Sequence, residues 1–100
     1  MLAENNVKPN LVALGDSITF GWHLDDTNGN ANPSLKAFPN LVGNGNYNVT
    51  KNISDGGWDS TELLAKIGKP ENIAALSGAD VITLNIGSND LLGLLLYKPY

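Results

Sequence analysis

The sequence predicts an α/β fold built on a parallel sheet. Three short runs, at residues 11–14, 47–53 and 80–86, have the character of strands, and helix-type patterns fill the segments between and after them. The order β-α-β-α-β-α implies parallel strands joined by right-handed crossovers. Each run also ends in a turn of small and polar residues: Gly15-Asp16-Ser17, then Ser54-Asp55-Gly56-Gly57, then Gly87-Ser88-Asn89-Asp90. In a parallel sheet these turns all leave the carboxyl edge, where open α/β sheets bind their ligands.

Residues 11–14 are Leu-Val-Ala-Leu, bounded by Pro9 and Asn10 on one side and Gly15 on the other. Four apolar residues are too few for helical turns, so the run is a buried strand. Gly15 is expected to let the backbone turn sharply, and Asp16 to hydrogen-bond its own backbone and hold that turn. Residues 21–33, rich in Gly, Asn and Asp and opening with Trp22 and His23, are a loop at the rim of the crevice. Leu35, Phe38, Leu41 and Val42 then follow helical spacing. Pro39 makes this helix short, bent or late-starting, and Gly43-Asn44-Gly45-Asn46 ends it.

Residues 47–53 alternate apolar and polar side chains with β-formers at most positions, the pattern of a strand. A helix follows with Asp59 or Ser60 as N-cap, Glu62 in its first turn and Leu63, Leu64 and Ile67 as its apolar face. Gly68 and Pro70 stop it, and residues 71–76 add one or two turns. Residues 80–86 form the third strand, expected to be mostly buried, and Asp90 is expected to cap a helix starting at Leu91.

One hundred residues without a linker, repeat or low-complexity segment make a single domain, residues 1–100. A net charge of -4 with no basic cluster excludes a nucleic-acid surface, which needs cations to neutralise phosphates. With no cysteine there is no disulfide or thiolate chemistry, which leaves the compartment open. Residues 1–10 lack the apolar core of a signal peptide, and no run approaches the ~20 residues of a membrane span.

The three turns carry a further pattern. Gly15-Asp16-Ser17-Ile18-Thr19 resembles the first signature block of the GDSL esterases and lipases, also called SGNH hydrolases. Asn52-x-Ser54-x-x-Gly57 and Gly87-x-Asn89-Asp90 resemble the second and third blocks, in the family's order. Thr19, two residues after Ser17, distinguishes the first block from the Gly-x-Ser-x-Gly elbow of α/β-hydrolases. The resemblance implies a three-layer α/β/α sandwich with a flavodoxin-like parallel sheet, strand order 2-1-3 in the portion present. It implies that Ser17 attacks a carboxylic ester, thioester or sugar acetate, with no metal or organic cofactor. The oxyanion donors would be the Ser17 N–H, the Gly57 N–H and the Asn89 side-chain amide.

Those residue types suit the chemistry, because preorganised donors aimed at a developing oxyanion are each worth ~2.7–4 kcal/mol. A glycine N–H approaches a ligand with no side chain in the way, and an asparagine amide donates without a charge to desolvate. Gly56 stands beside Gly57 as the alternative; Gly57 is preferred because it lies five residues after Asn52 and directly before the helix. Trp22 and Trp58 flank the first two turns, either as walls of an acyl or sugar pocket or as caps on the core, and with Asp16 they complete the candidate binding residues.

The family's fourth block, Asp-x-x-His, has no counterpart among residues 1–100, which therefore resemble its N-terminal portion. His23 is the single histidine; Asp25 and Asp26 can orient it but share its loop, so it is expected to be a solvated loop residue and the chain alone to be inactive. The partner expected is a small ester substrate, and three parallel strands leave an edge that self-association or a missing C-terminal half would cover. The rival reading is a non-catalytic module that binds a carbohydrate or acyl group in the same pocket.

Overall fold

A computed structural model describes residues 8–24 and 31–96. Strands β1 (Asn10–Gly15), β2 (Asn48–Ser54) and β3 (Val81–Asn85) form a sheet that is parallel, as the element order predicts, and runs β2-β1-β3, the order that the resemblance implies. Helices α1 (Ser17–Phe20) and α2 (Phe38–Leu41) lie between β1 and β2, α3 (Ser60–Ile67) and α4 (Pro70–Ser77) between β2 and β3, and α5 (Ser88–Leu96) follows β3.

β1 is central, and its consecutive residues Leu11, Val12, Ala13 and Leu14 are all buried. Side chains of a strand alternate between faces, so burial at every position means that both faces are covered. On one of them Val12 and Leu14 meet Ile53 of β2 and Leu63 of α3, with Trp58, Ile67, Ala75 and Leu76 packed around them. At the amino edge of the sheet Asn10 fixes the register. Its N–H donates to Asp80 Oδ2 at 2.7 Å, its carbonyl accepts the Asp80 N–H at 2.8 Å, and its side chain joins Gly78 O and Asn48 Nδ2. A bulge in β2 leaves Thr50 between the partners of Leu11 and Val12.

Asp59 is the N-cap of α3, in a reciprocal capping box. Its carboxylate accepts the Glu62 N–H at 2.9 Å, and Glu62 Oε1 accepts the Asp59 N–H at 3.2 Å. Pro70 opens α4 near its first position, where a missing N–H costs nothing. α2 starts late, with Pro39 in its first turn, and passes into a 3₁₀ turn at Val42–Gly45 in which Gly43 and Asn44 are left-handed.

Four expectations need correction. Leu35 and Leu41 are exposed, and Ser34, Ala37 and Pro39 are buried instead; α2 begins only at Phe38, so the helical spacing never governs Leu35. β3 is not mostly buried: Ile82 and Leu84 are 51% and 65% exposed, although their register partners Val12 and Leu14 are buried, because the helix layer that packs on β1 and β2 leaves this face of β3 uncovered. α5 starts at Ser88, so Asp90 lies inside its first turn and does not cap it.

The fourth correction concerns Gly15, which is not among the left-handed glycines. Its role is space. A Cβ there would lie 2.6 Å from Thr19 Cβ and 2.7 Å from the Asn85 carbonyl oxygen. Gly15→Ala therefore overpacks the junction of β1, α1 and β3, and the expected cost is about 1–3 kcal/mol in urea unfolding. A loss below about 0.5 kcal/mol, the range of an ordinary surface change, would contradict this.

Candidate active site

The first loop is held by Asp16. The residue has no exposed surface; its Oδ1 accepts the Ile18 N–H at 3.1 Å, so Asp16 caps α1 and closes the turn that contains Ser17. This is the backbone bond expected from the sequence. Ser17 is half-buried at the start of α1, and its carbonyl accepts both the Gly21 and Trp22 N–H groups, at 2.9 and 3.0 Å. Gly21 ends α1 in the left-handed conformation, φ 78°. At that end Asn52 Nδ2 of β2 donates to Thr19 O at 2.9 Å, while Asn52 Oδ1 accepts the Ser54 hydroxyl.

The second loop separates its two glycines by role. The Gly56 N–H donates to Asp55 Oδ1 at 2.7 Å, and the Trp22 ring lies so close that a Cβ at Gly56 would fall 2.8 Å from it. Gly57 is exposed, with φ 79°, and a Cβ there would meet open space. Gly56 is thus a contact glycine and Gly57 a left-handed turn glycine. Trp22 joins the first two loops while keeping 40% of its surface exposed, with Phe20 at 5.6 Å on one side and His23 edge-on at 5.7 Å. Trp58 packs against the core cluster, with Lys66 Nζ 5.9 Å from its ring centroid.

The third loop binds the other two together. Gly87 has φ 120° and its carbonyl accepts the Leu91 N–H, beginning α5. Ser88 Oγ donates to Asp16 Oδ2 at 3.2 Å, beside Ser17. Asn89 Nδ2 donates to Trp58 O at 2.8 Å, beside Gly57. Asp90 accepts the Ser60 N–H at 2.8 Å and the Ser60 hydroxyl at 2.5 Å, so it serves the first turn of α3.

These donors, the Ser60 hydroxyl foremost and its N–H second, hold the Asp90 carboxyl below the ordinary carboxylate value. A depressed pKa contributes stability in full above the ordinary value and loses it as pH falls through the depressed one. The protection of the Ser60 amide, relative to its intrinsic exchange rate at each pH, is therefore expected to hold at neutral pH and to fall only below the ordinary carboxylate range. Asp90→Asn should remove that pH dependence; protection that titrates alike in both proteins would contradict it.

Ser17, the Gly57 loop and Asn89 are therefore brought to one edge and linked by hydrogen bonds, with Asp16 beneath Ser17. The sequence gives Ser88 no role, offers Ser60 only as the alternative N-cap to Asp59, and uses Asn52 only as a marker of spacing; the structure makes Asp59 the cap and Ser60 a donor to Asp90. Ser60 had a signal: the N–H of a first-turn residue has no partner within its own helix. Asp25 and Asp26 lie outside the described residues, and His23 is left-handed, φ 69°. An open, mostly apolar groove of about 320 Å³ between α3 and the β3 end is lined by Leu63, Leu64, Ile67, Leu84 and Ile86 together with Ser60 and Thr61, and touches none of Ser17, Gly57 or Asn89. Among the described residues no helix is long and apolar enough to cross a membrane. Against known proteins, no family model and no curated protein matches the chain.

Proposed function

We propose that the three loops form the acyl-transfer site of a serine ester hydrolase of the GDSL type. One observation carries this: the three loops resembling that family's blocks leave the same edge of a parallel sheet and are hydrogen-bonded through Ser88 to Asp16 and Asn89 to Trp58. Ser17 Oγ attacks the ester carbonyl, the alcohol leaves, and water releases the acid from the seryl ester. Negative charge on the carbonyl oxygen is met by the Ser17 N–H, the Gly57 N–H and the Asn89 amide. Gly57 suits this better than Gly56, whose N–H is already engaged by Asp55. Of the two hydrogens on the Asn89 amide, Trp58 O holds one and fixes the direction of the other. Trp22, exposed beside Gly56, borders the substrate.

In this account the sheet belongs to a three-layer, flavodoxin-like sandwich. Full burial of β1 on both faces supports the layering, and the exposed Ile82 and Leu84 on β3, with Leu91, Leu92, Leu94 and Leu95 on α5, support a covering segment or a second copy. The general base of this reading is a histidine held by a carboxylate, which the family's Asp-x-x-His block provides and which has no counterpart among residues 1–100; a histidine-bearing segment would supply it. Residues 1–100 alone are then expected to hydrolyse p-nitrophenyl acetate no faster than the Ser17→Ala control, whereas a form carrying that segment turns over in a Ser17-dependent way. Hydrolysis by residues 1–100 that Ser17→Ala and His23→Gln both abolish would instead make His23 the base. Ligand affinity without turnover in the longer form would favour the binding-module reading.

A further inference from the structure

We infer that Ser88 is a positioning residue that locks the Ser17 turn to the Asn89 loop, so that the two act as one anion-binding unit. This rests on the hydrolase reading for its purpose but on hydrogen bonds for its existence. Asp16 is a carboxylate without exposed surface, and a buried carboxylate must be supplied with donors. Among the described residues its donors are the Ile18 N–H on Oδ1, at 3.1 Å, and the Ser88 hydroxyl on Oδ2, at 3.2 Å. The first closes the turn around Ser17 from within; the second comes from 72 residues away in sequence.

The two bonds share one rigid carboxylate. Without the Ser88 hydroxyl, Oδ2 loses its donor and the group gains by rotating towards water, which draws Oδ1 away from the Ile18 N–H. Ser17 lies between the two residues that this bond joins, so its N–H and Oγ shift with it. Ser88 also precedes Asn89, whose amide is fastened to Trp58 O at 2.8 Å. Two consecutive residues at the start of α5 thus set the first loop and the second, and the spacing of the proposed oxyanion donors depends on both.

The test compares Ser88→Thr with Ser88→Val in the 100-residue chain, because these side chains differ in little but the hydroxyl. Two readouts are taken by NMR: hydrogen exchange of the Ile18 amide, with Leu63 in α3 as internal reference, and the affinity for sodium butyrate read from the Ser17 amide and Asn89 side-chain signals. Ser88→Val is expected to accelerate Ile18 exchange and to weaken butyrate binding, each about tenfold, with Leu63 unchanged. Ser88→Thr is expected to match the parent in both. Equal behaviour of the two variants at Ile18 would overturn the lock, and so would acceleration in Val that Thr shares. If the parent chain shows no butyrate shift at Ser17 or Asn89, the hydrolase reading fails, and the Ile18 exchange still decides the lock.

Discussion

Asn89→Ala is expected to lower kcat by roughly 10²–10³ with little change in KM, measured on a form of the protein in which a histidine serves Ser17. The magnitude follows from the loss of one preorganised donor, ~2.7–4 kcal/mol in the transition state, and from its absence in the ground state, where the ester carbonyl carries little charge. Preorganisation is visible in the bond from Nδ2 to Trp58 O, which leaves the amide no need to reorient during reaction. That same bond supplies the competing account, in which Asn89 only fastens the loop before α3. Thermal unfolding run beside the kinetics separates the two. A fall in stability with kcat/KM intact would make Asn89 a fastener, and a fall in kcat at unchanged stability makes it an oxyanion donor.

The sheet was legible because its signals are local. Residues 11–14 are too short and too apolar for anything but a buried strand, and parallel order follows from helices placed between strands. The N-cap at Asp59 and the αL residues at Gly43 and Asn44 are likewise local chemistry, written within a few residues of where they act. What escaped depends on neighbours distant in the chain. The exposure of Ile82 and Leu84 is set by how far the helix layer over β1 and β2 extends, which no periodicity reports. Asp90 has the composition of a cap, but the helix it serves is 30 residues earlier, at Ser60. Gly15 looks like a turn glycine and is required instead by the backbone of Asn85, 70 residues on. At the site, the block spacings marked Ser17, Gly57 and Asn89, whereas Ser88 and the amide of Asn52, which hold the loops in place, emerge only from the packed structure.

The identity of the nucleophile is the central claim, and labelling with a fluorophosphonate ester followed by peptide mass spectrometry tests it most directly. The reagent is attacked by an activated serine and stays bonded to it, so its mass marks the residue that performs the first step. In a form of the protein carrying a histidine-bearing segment, the label is expected on the peptide containing Ser17, and Ser17→Ala should abolish it while leaving the fold intact by circular dichroism. Label found on another residue, or persisting at the parent level in Ser17→Ala, would contradict the account.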